Sequence, residues 1–143
     1  MNILVTGGTG TLGREVVEIL RGRGHTIRIL TRKPASGEGF VQGDIATGTG
    51  LADAVAGIDT IVNAASATTD PKQGHATDVV GTRRLLEAAS GAGVRHVVHV
   101  SIVGIERVQA VPYYRHKLNA ERVVRGAGVP WTILRATQFH PLI

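Results

Sequence analysis

Four glycines fall within residues 7–13, in Thr6-Gly7-Gly8-Thr9-Gly10-Thr11-Leu12-Gly13, directly after the first apolar run of the chain. Residues 2–6 read as a strand, and Leu12, Val16, Val17, Ile19 and Leu20 recur at helical spacing behind the glycines. The glycines must therefore form the turn that carries a strand into a helix. They fit two overlapping patterns, G-x-G-x-x-G through Gly8, Gly10 and Gly13, and G-x-x-G-x-x-G through Gly7, Gly10 and Gly13. Both meet one need: a tight turn, a backbone bare enough for a diphosphate to approach, and a close helix-to-strand contact. Free N–H groups at the helix N-terminus then hold the diphosphate. Residues Gly7 through Gly13 are thus candidate dinucleotide contacts: Gly7, Gly8, Thr9, Gly10, Thr11, Leu12 and Gly13. A mononucleotide P-loop is excluded, because Arg14 and Glu15 stand where Lys and Ser or Thr must reach the phosphates and Mg²⁺.

Beyond that turn, short apolar runs alternate with segments of helical period. The runs predict strands at 2–6, 26–31, 39–43, 60–64, 95–101 and 131–135. Helices are expected from Leu12 to about Gly22, over 50–56, over 77–90 and over 113–125, with a loop at 32–38. Parallel strands need a crossover of about a dozen residues, usually helical, so alternation of this kind means a parallel sheet. The 143 residues show no linker or repeat. The fold class is α/β: a Rossmann-type doubly wound parallel sheet in three αβα layers, forming one domain over residues 1–143.

The end of the second strand bears on which dinucleotide would fit. An Asp or Glu about 20 residues past the glycines accepts hydrogen bonds from the adenosine ribose and favours NAD. Here Thr31-Arg32-Lys33 stands instead. Two cations suit a 2′-phosphate, and the planar fork of Arg32 suits it best, so NADP is expected, with NAD possible. Asp44, in Gly43-Asp44-Ile45, either meets the adenine rim beside Ile45 or caps a turn. Ala64, Ala65 and Ser66 close the fourth strand with small residues, as a chain passing a flat cofactor requires or as tight packing alone would produce.

Ser101 ends the fifth strand at the carboxyl edge, where open α/β sheets bind ligands. After Pro112, a helix-starting residue, Tyr113 and Lys117 stand at i and i+4 on one helical face. A neighbouring Lys⁺ favours phenolate and so lowers the tyrosine pKa, while Ser101 holds a substrate carbonyl. Tyr114, at i,i+3 from Lys117, is the rival acid–base group.

Composition narrows the classes further. The chain lacks cysteine, which removes disulfides, thiolate metal sites and a cysteine nucleophile. Its six histidines are dispersed, and His96 and His99 point to opposite faces of a strand, so no metal site is expected. The net charge of +5 comes from basic residues scattered between Arg14 and Arg135 rather than clustered, which argues against nucleic-acid binding. Arg and His interrupt even Val94 to Ile105, the most apolar segment, and the N-terminus has no basic n-region. A soluble, cytoplasmic protein acting on a small molecule is expected, with no membrane contact and with homo-oligomerisation possible.

These pieces together resemble the atypical, NmrA-like NAD(P)-binding branch of the short-chain dehydrogenase/reductase superfamily. The resemblance runs in order through the glycine loop, Thr31-Arg32, Gly43-Asp44-Ile45, Asp59 to Ala65, Val80-Gly81-Thr82, His99-Val100-Ser101, Tyr113 to Lys117 and Thr132 to Arg135. It implies Tyr113 as the acid–base group, Lys117 as the residue that binds the nicotinamide ribose and lowers the tyrosine pKa, and Ser101 as the carbonyl-orienting hydroxyl. Asp78 stands where related enzymes often carry Asn. The resemblance further implies a C-terminal substrate portion, which the 143 residues are expected to lack. The activity expected is hydride transfer between nicotinamide and a carbonyl- or quinone-like substrate. The alternatives are a non-catalytic redox sensor and a nucleotide-sugar epimerase or dehydratase; Arg32 argues against the latter, which the resemblance implies mostly retains NAD(H).

Overall fold

A computed structural model gives the structure, describing residues 1–34, 37–66, 71–108 and 110–137. Six strands form one sheet: β1 (Asn2–Thr6), β2 (Thr26–Thr31), β3 (Phe40–Gln42), β4 (Thr60–Asn63), β5 (His96–Ile102) and β6 (Trp131–Ala136). Their order is β3-β2-β1-β4-β5-β6, and every neighbouring pair is parallel. The chain winds outward from β1 in both directions, so the switch point lies between β1 and β4. The expected doubly wound Rossmann-type sheet is what the structure shows, with strand ends within a residue of those read from the sequence. Residues 138–143, the chain end, lie outside the described residues, as do two positions of the 32–38 loop.

Ile3, Leu4 and Val5 are all buried, because β1 is covered on both faces. On one side Ile3 and Val5 pack with Ile27, Ile29 and Val17 of helix α1 (Thr11–Gly22). On the other, Leu4, Ile61 and Val97 pack beneath α2 (Leu51–Val55), α4 (Thr82–Gly91) and α5 (Pro112–Arg125). The three layers follow from the alternation of side chains along each strand.

The second face changes character along the strands. Leu4, Ile61 and Val97 are register partners and form an apolar row; two residues on, the register brings Thr6, Asn63 and His99 together. All three are buried, and their polar groups answer one another. The Thr6 hydroxyl donates to Asn63 Oδ1 at 2.6 Å, and Asn63 Nδ2 donates to Thr82 Oγ1 and to His99 Nδ1, each at 3.2 Å. That geometry uses His99 Nδ1 as an acceptor, so the imidazole is neutral.

The helix expected over 77–90 begins earlier and is not uniform. Pro71–Gly74 forms α3, His75–Gly81 a π-turn, and only then does α4 begin. Gly81 lies so close to Ile45 that an added Cβ would fall 2.8 Å from Ile45 Cγ1. The wider turn carries Asp78 inward, where it is 1% exposed. Sequence periodicity assumes 3.6 residues per turn and cannot show such a widening. At the sheet's far edge, Trp131 and Leu134 of β6 are exposed, and the Arg125 guanidinium lies 6.0 Å from the Trp131 ring centre.

Burial pushes the His99 pKa down to about 3; the Lys117 ammonium acts in the same direction and Glu121 opposes it. The unfolded chain binds a proton near pH 6.5 that the folded chain refuses. This contribution to stability is therefore complete above that pH and is lost as pH falls towards 3, at about 1.4 kcal/mol per unit. Denaturant melts of the wild type and of His99→Gln, which keeps a hydrogen-bonding side chain but does not titrate, will show the wild-type advantage shrinking between pH 7.5 and pH 5.

Candidate functional site

The carboxyl ends of β1, β2 and β4 open into a groove of about 370 Å³, and those of β1, β4 and β5 into an adjoining one of about 550 Å³. The two share Gly7, Gly10, Ala64 and Ser66, so they are halves of one cleft crossing the switch point. Gly7 has φ of +69°, and a Cβ there would sit 2.6 Å from Ala64 O. A Cβ on Gly13 would sit 1.9 Å from Gly7 O. The turn is therefore closed against β4 on one side and against α1 on the other. Gly10 N–H donates to Gly7 O at 3.0 Å, which tightens the loop ahead of the first turn of α1.

Most of the residues singled out in the sequence meet in this cleft. Thr9, Arg32, Lys33 and Asp44 line the first half, with Ile45 and Ala65. Thr11, Leu12 and Gly13 line the second half, together with Ser101, Tyr113 and Lys117. Gly8 is the exception. It is buried away from the opening, where a Cβ would lie 2.8 Å from Ile29 Cγ2, so it serves the packing of α1 on β2. Asp44 also does what its type allows locally, since its Oδ1 accepts from Ala46 N–H at 2.9 Å.

Helix α5 starts at Pro112, which fixes the first turn and points Tyr113, Lys117 and Glu121 along one face towards β5. Lys117 is 4% exposed; its Nζ donates to Val100 O at 3.0 Å and lies 3.9 Å from Asp78 Oδ1. Burial lowers its pKa, while the carboxylates of Asp78 and Glu121 support the charge. Asp78 is raised to about 6, by burial first, against the pull of Lys117 and the Ser66 hydrogen bond. The Tyr113 pKa lies above the ordinary tyrosine value, chiefly through burial, with the Ser66 side chain opposing the rise and the negative charges of Asp78 and Tyr114 adding to it.

That direction differs from the sequence expectation that Lys117 would depress Tyr113. The i,i+4 spacing is as read, but the ammonium is taken up by Val100 O and Asp78. Sequence spacing gives the neighbour and not the direction in which its side chain turns.

Below Ser101 lies an acid the sequence reading missed. Glu121 is fully buried, and its carboxylate accepts a bidentate pair from Arg135, from Nε at 3.0 Å and Nη2 at 2.7 Å. Burial would raise Glu121, but Arg135 and the Ser101 side chain outweigh it and hold its pKa low. Arg135 also pairs with Glu106 at 2.6 Å. The i,i+4 step from Lys117 to Glu121 was the available signal, and it becomes informative only once β6 is known to lie against α5 through Arg135. Among the described residues no group of three or more metal-ligating side chains comes together, and no helix is long and apolar enough to cross a membrane.

A parallel sheet with a glycine-closed turn and a cleft across its switch point defines a Rossmann-type dinucleotide fold. Residues 7–140 match the family described as NAD(P)H-binding. The chain is 35% identical to a (4-alkanoyl-5-oxo-2,5-dihydrofuran-3-yl)methyl phosphate reductase of Streptomyces griseus, over 96% of its own length and 48% of that protein. It is 31% identical to the photosystem II assembly factor Ycf39 of Cyanophora paradoxa, over 97% and 46%. A short-chain dehydrogenase/reductase superfamily protein from Agrobacterium tumefaciens, solved with bound NAD, superposes with a TM-score of 0.81 at 34% identity, covering 94% of this chain and 48% of that one. The chain belongs to the NAD(P)H-binding family, in the atypical NmrA-like branch of the short-chain dehydrogenase/reductase superfamily. It spans about half the length of the curated relatives it matches.

The loop geometry yields a paired prediction. Gly13→Ala forces a methyl into Gly7 O and will cost about 1–3 kcal/mol or more in a thermal melt. Gly22→Ala, at the end of α1 with open space around it, will be neutral or stabilising by up to about 1 kcal/mol.

Proposed function

We propose that the cleft binds a nicotinamide dinucleotide across the switch point and that the chain forms the cofactor half of an oxidoreductase acting on a carbonyl- or quinone-like small molecule. The observation that carries this reading is the convergence of Ser101, Tyr113 and Lys117 on the same half of the cleft as the α1 end of the glycine loop. In this reading the diphosphate lies over Gly7 to Gly13, where side chains at Gly7 and Gly13 would block the turn. The adenosine lies towards Asp44 and Ile45, and Arg32 and Lys33 meet a ribose 2′-phosphate, so NADP is preferred to NAD. The solved relative holding NAD makes the discrimination itself a quantity to measure.

When bound, the nicotinamide supplies or takes a hydride. The chain's residues do the rest: Ser101 orients the substrate oxygen, and Tyr113 gives its proton to that oxygen during reduction or takes one during oxidation. Lys117 closes the cleft wall beneath them with a buried positive charge. The name of the Streptomyces griseus relative, a reductase, supports this direction of chemistry. A second reading, a binding module without turnover, draws on the likeness to an assembly factor and on the engagement of Lys117 with Val100 O and Asp78 rather than with Tyr113.

Calorimetric titration with NADPH and NADH is expected to show saturable binding of both, tighter for NADPH. Arg32→Asp should weaken NADPH by about tenfold or more while changing NADH little; equal losses would remove the 2′-phosphate role. With a turned-over substrate in hand, Tyr113→Phe should cut kcat by about 10²–10⁴-fold while nucleotide affinity stays near wild type. Tight binding of nucleotide with no hydride transfer to any carbonyl or quinone acceptor would favour the module.

A further inference from the structure

The two halves of the cleft differ in charge. Arg32, Lys33 and Asp44 line the first half, whereas the wall of the second half holds a single charged residue, Lys117. That ammonium is buried and already engaged with Val100 O and Asp78. The other cations nearby do not line this half: Arg135 is paired with Glu106 and Glu121, while Arg107 and Arg115 are exposed outside it. Beyond the glycine turn, the wall is built mainly from Leu12, Val100, Ile102 and the tilted rings of Tyr113 and Tyr114, whose centres are 5.2 Å apart. The connection from Ile102 to Tyr113 leaves Val103, Val108 and Val111 exposed as well.

One polar group in this wall stands out. Ser101 is 1% exposed, and its Oγ has no hydrogen-bond partner among the described residues. A buried hydroxyl left unpaired is destabilising, and an oxygen of a bound molecule relieves it. A carboxylate or phosphate brought to the same place would lose its water and find no cation in the wall free to meet it, which is the costly case for a buried charge.

We propose that the second half of the cleft takes an uncharged carbonyl compound with an apolar body, an alkyl or aryl ketone or a quinone, and selects against carboxylates and phosphate esters. The proposal rests on the reading of the cleft as a cofactor and substrate site given above, and names the substrate class of that site. One oxygen of the molecule meets Ser101 and Tyr113, and its apolar remainder covers Leu12, Ile102 and Tyr114. The charged half of the cleft thus suits the nucleotide's phosphates and the uncharged half sorts substrates.

Three ligands separate size from charge: 2-octanone, the shorter 2-butanone, and 7-oxooctanoate, which is 2-octanone with its far methyl replaced by a carboxylate. Ligand-observed NMR titrations of the full chain, with and without NADP⁺, are expected to show 2-octanone binding about tenfold or more tighter than 2-butanone. They should show 7-oxooctanoate binding about tenfold or more weaker than 2-octanone. Ile102→Lys, which puts an ammonium into the wall, should cut the preference for 2-octanone over 7-oxooctanoate by about tenfold or more. Ile19→Lys, at an exposed position of α1, should leave that preference in place. Should Ile102→Lys fail to give a cooperative melt, Tyr114→Lys carries the same expectation. A wild type that binds 7-oxooctanoate as tightly as 2-octanone, or binds no ketone at millimolar concentration, would overturn the proposal, as would an unchanged preference in the folded lysine variant. Preference for 2-octanone without hydride transfer to it from NADPH would uphold the ligand class and remove turnover. Failure to bind NADP⁺ would remove the cofactor reading alone, because the preference is also measured on the unloaded chain.

Discussion

Between the carbonyl oxygen of Gly7 and the backbone of Gly13 there is no room for a single methyl group, and the same is true between Gly7 and the Ala64 carbonyl. These two contacts press the start of α1 against the ends of β1 and β4 at the one place in the sheet where the winding reverses. The cleft lies there because the helix N-terminus, the last residues of β4 and the end of β2 are all brought to the same edge. A side chain at either glycine would move α1 outward, and the packing of Val17 on Ile27 and Ile29 would move with it.

The second organising feature is the change from apolar to polar along one face of the sheet. Leu4, Ile61 and Val97 form a dry row under the helices, and Thr6, Asn63 and His99, one pleat repeat further, form a row hydrogen-bonded along its length. Beyond it come Ser101, Lys117, Glu121 and Arg135. Buried polar groups are costly unless partnered, and Asn63, Lys117 and Glu121 find partners on other strands and on α4, while His99 Nε2 and Ser101 Oγ have no hydrogen-bond partner among the described residues. The face thus grades from core to cleft within a few residues, so Ser101, Tyr113 and Lys117 stand on a strand and one helix of the packed body.

Much of this was legible beforehand. The glycine turn, the six strands, their parallel arrangement, and the meeting of Arg32, Asp44, Ser66, Ser101, Tyr113 and Lys117 at one edge follow from patterns of period two and 3.6 and from a motif with a mechanical reason. What escaped the sequence has a common cause. Gly8 sits in the motif but packs on Ile29; Asp78 is delivered by a π-turn that no regular period announces; and Glu121 matters through Arg135, fourteen residues away on another element. Each depends on which surfaces meet.

The sequence by itself determined the order of strands and helices, the closed turn at Gly7 to Gly13 and the residue types at the carboxyl edge, because those are set by local sterics and by the alternation of apolar positions. Tertiary structure alone decided the electrostatics of the site. Lys117 stands one turn from Tyr113 in any helix, but its charge is spent on Val100 O and Asp78 because burial leaves an ammonium no water to turn to, and a buried charge takes whatever acceptors the fold has placed around it.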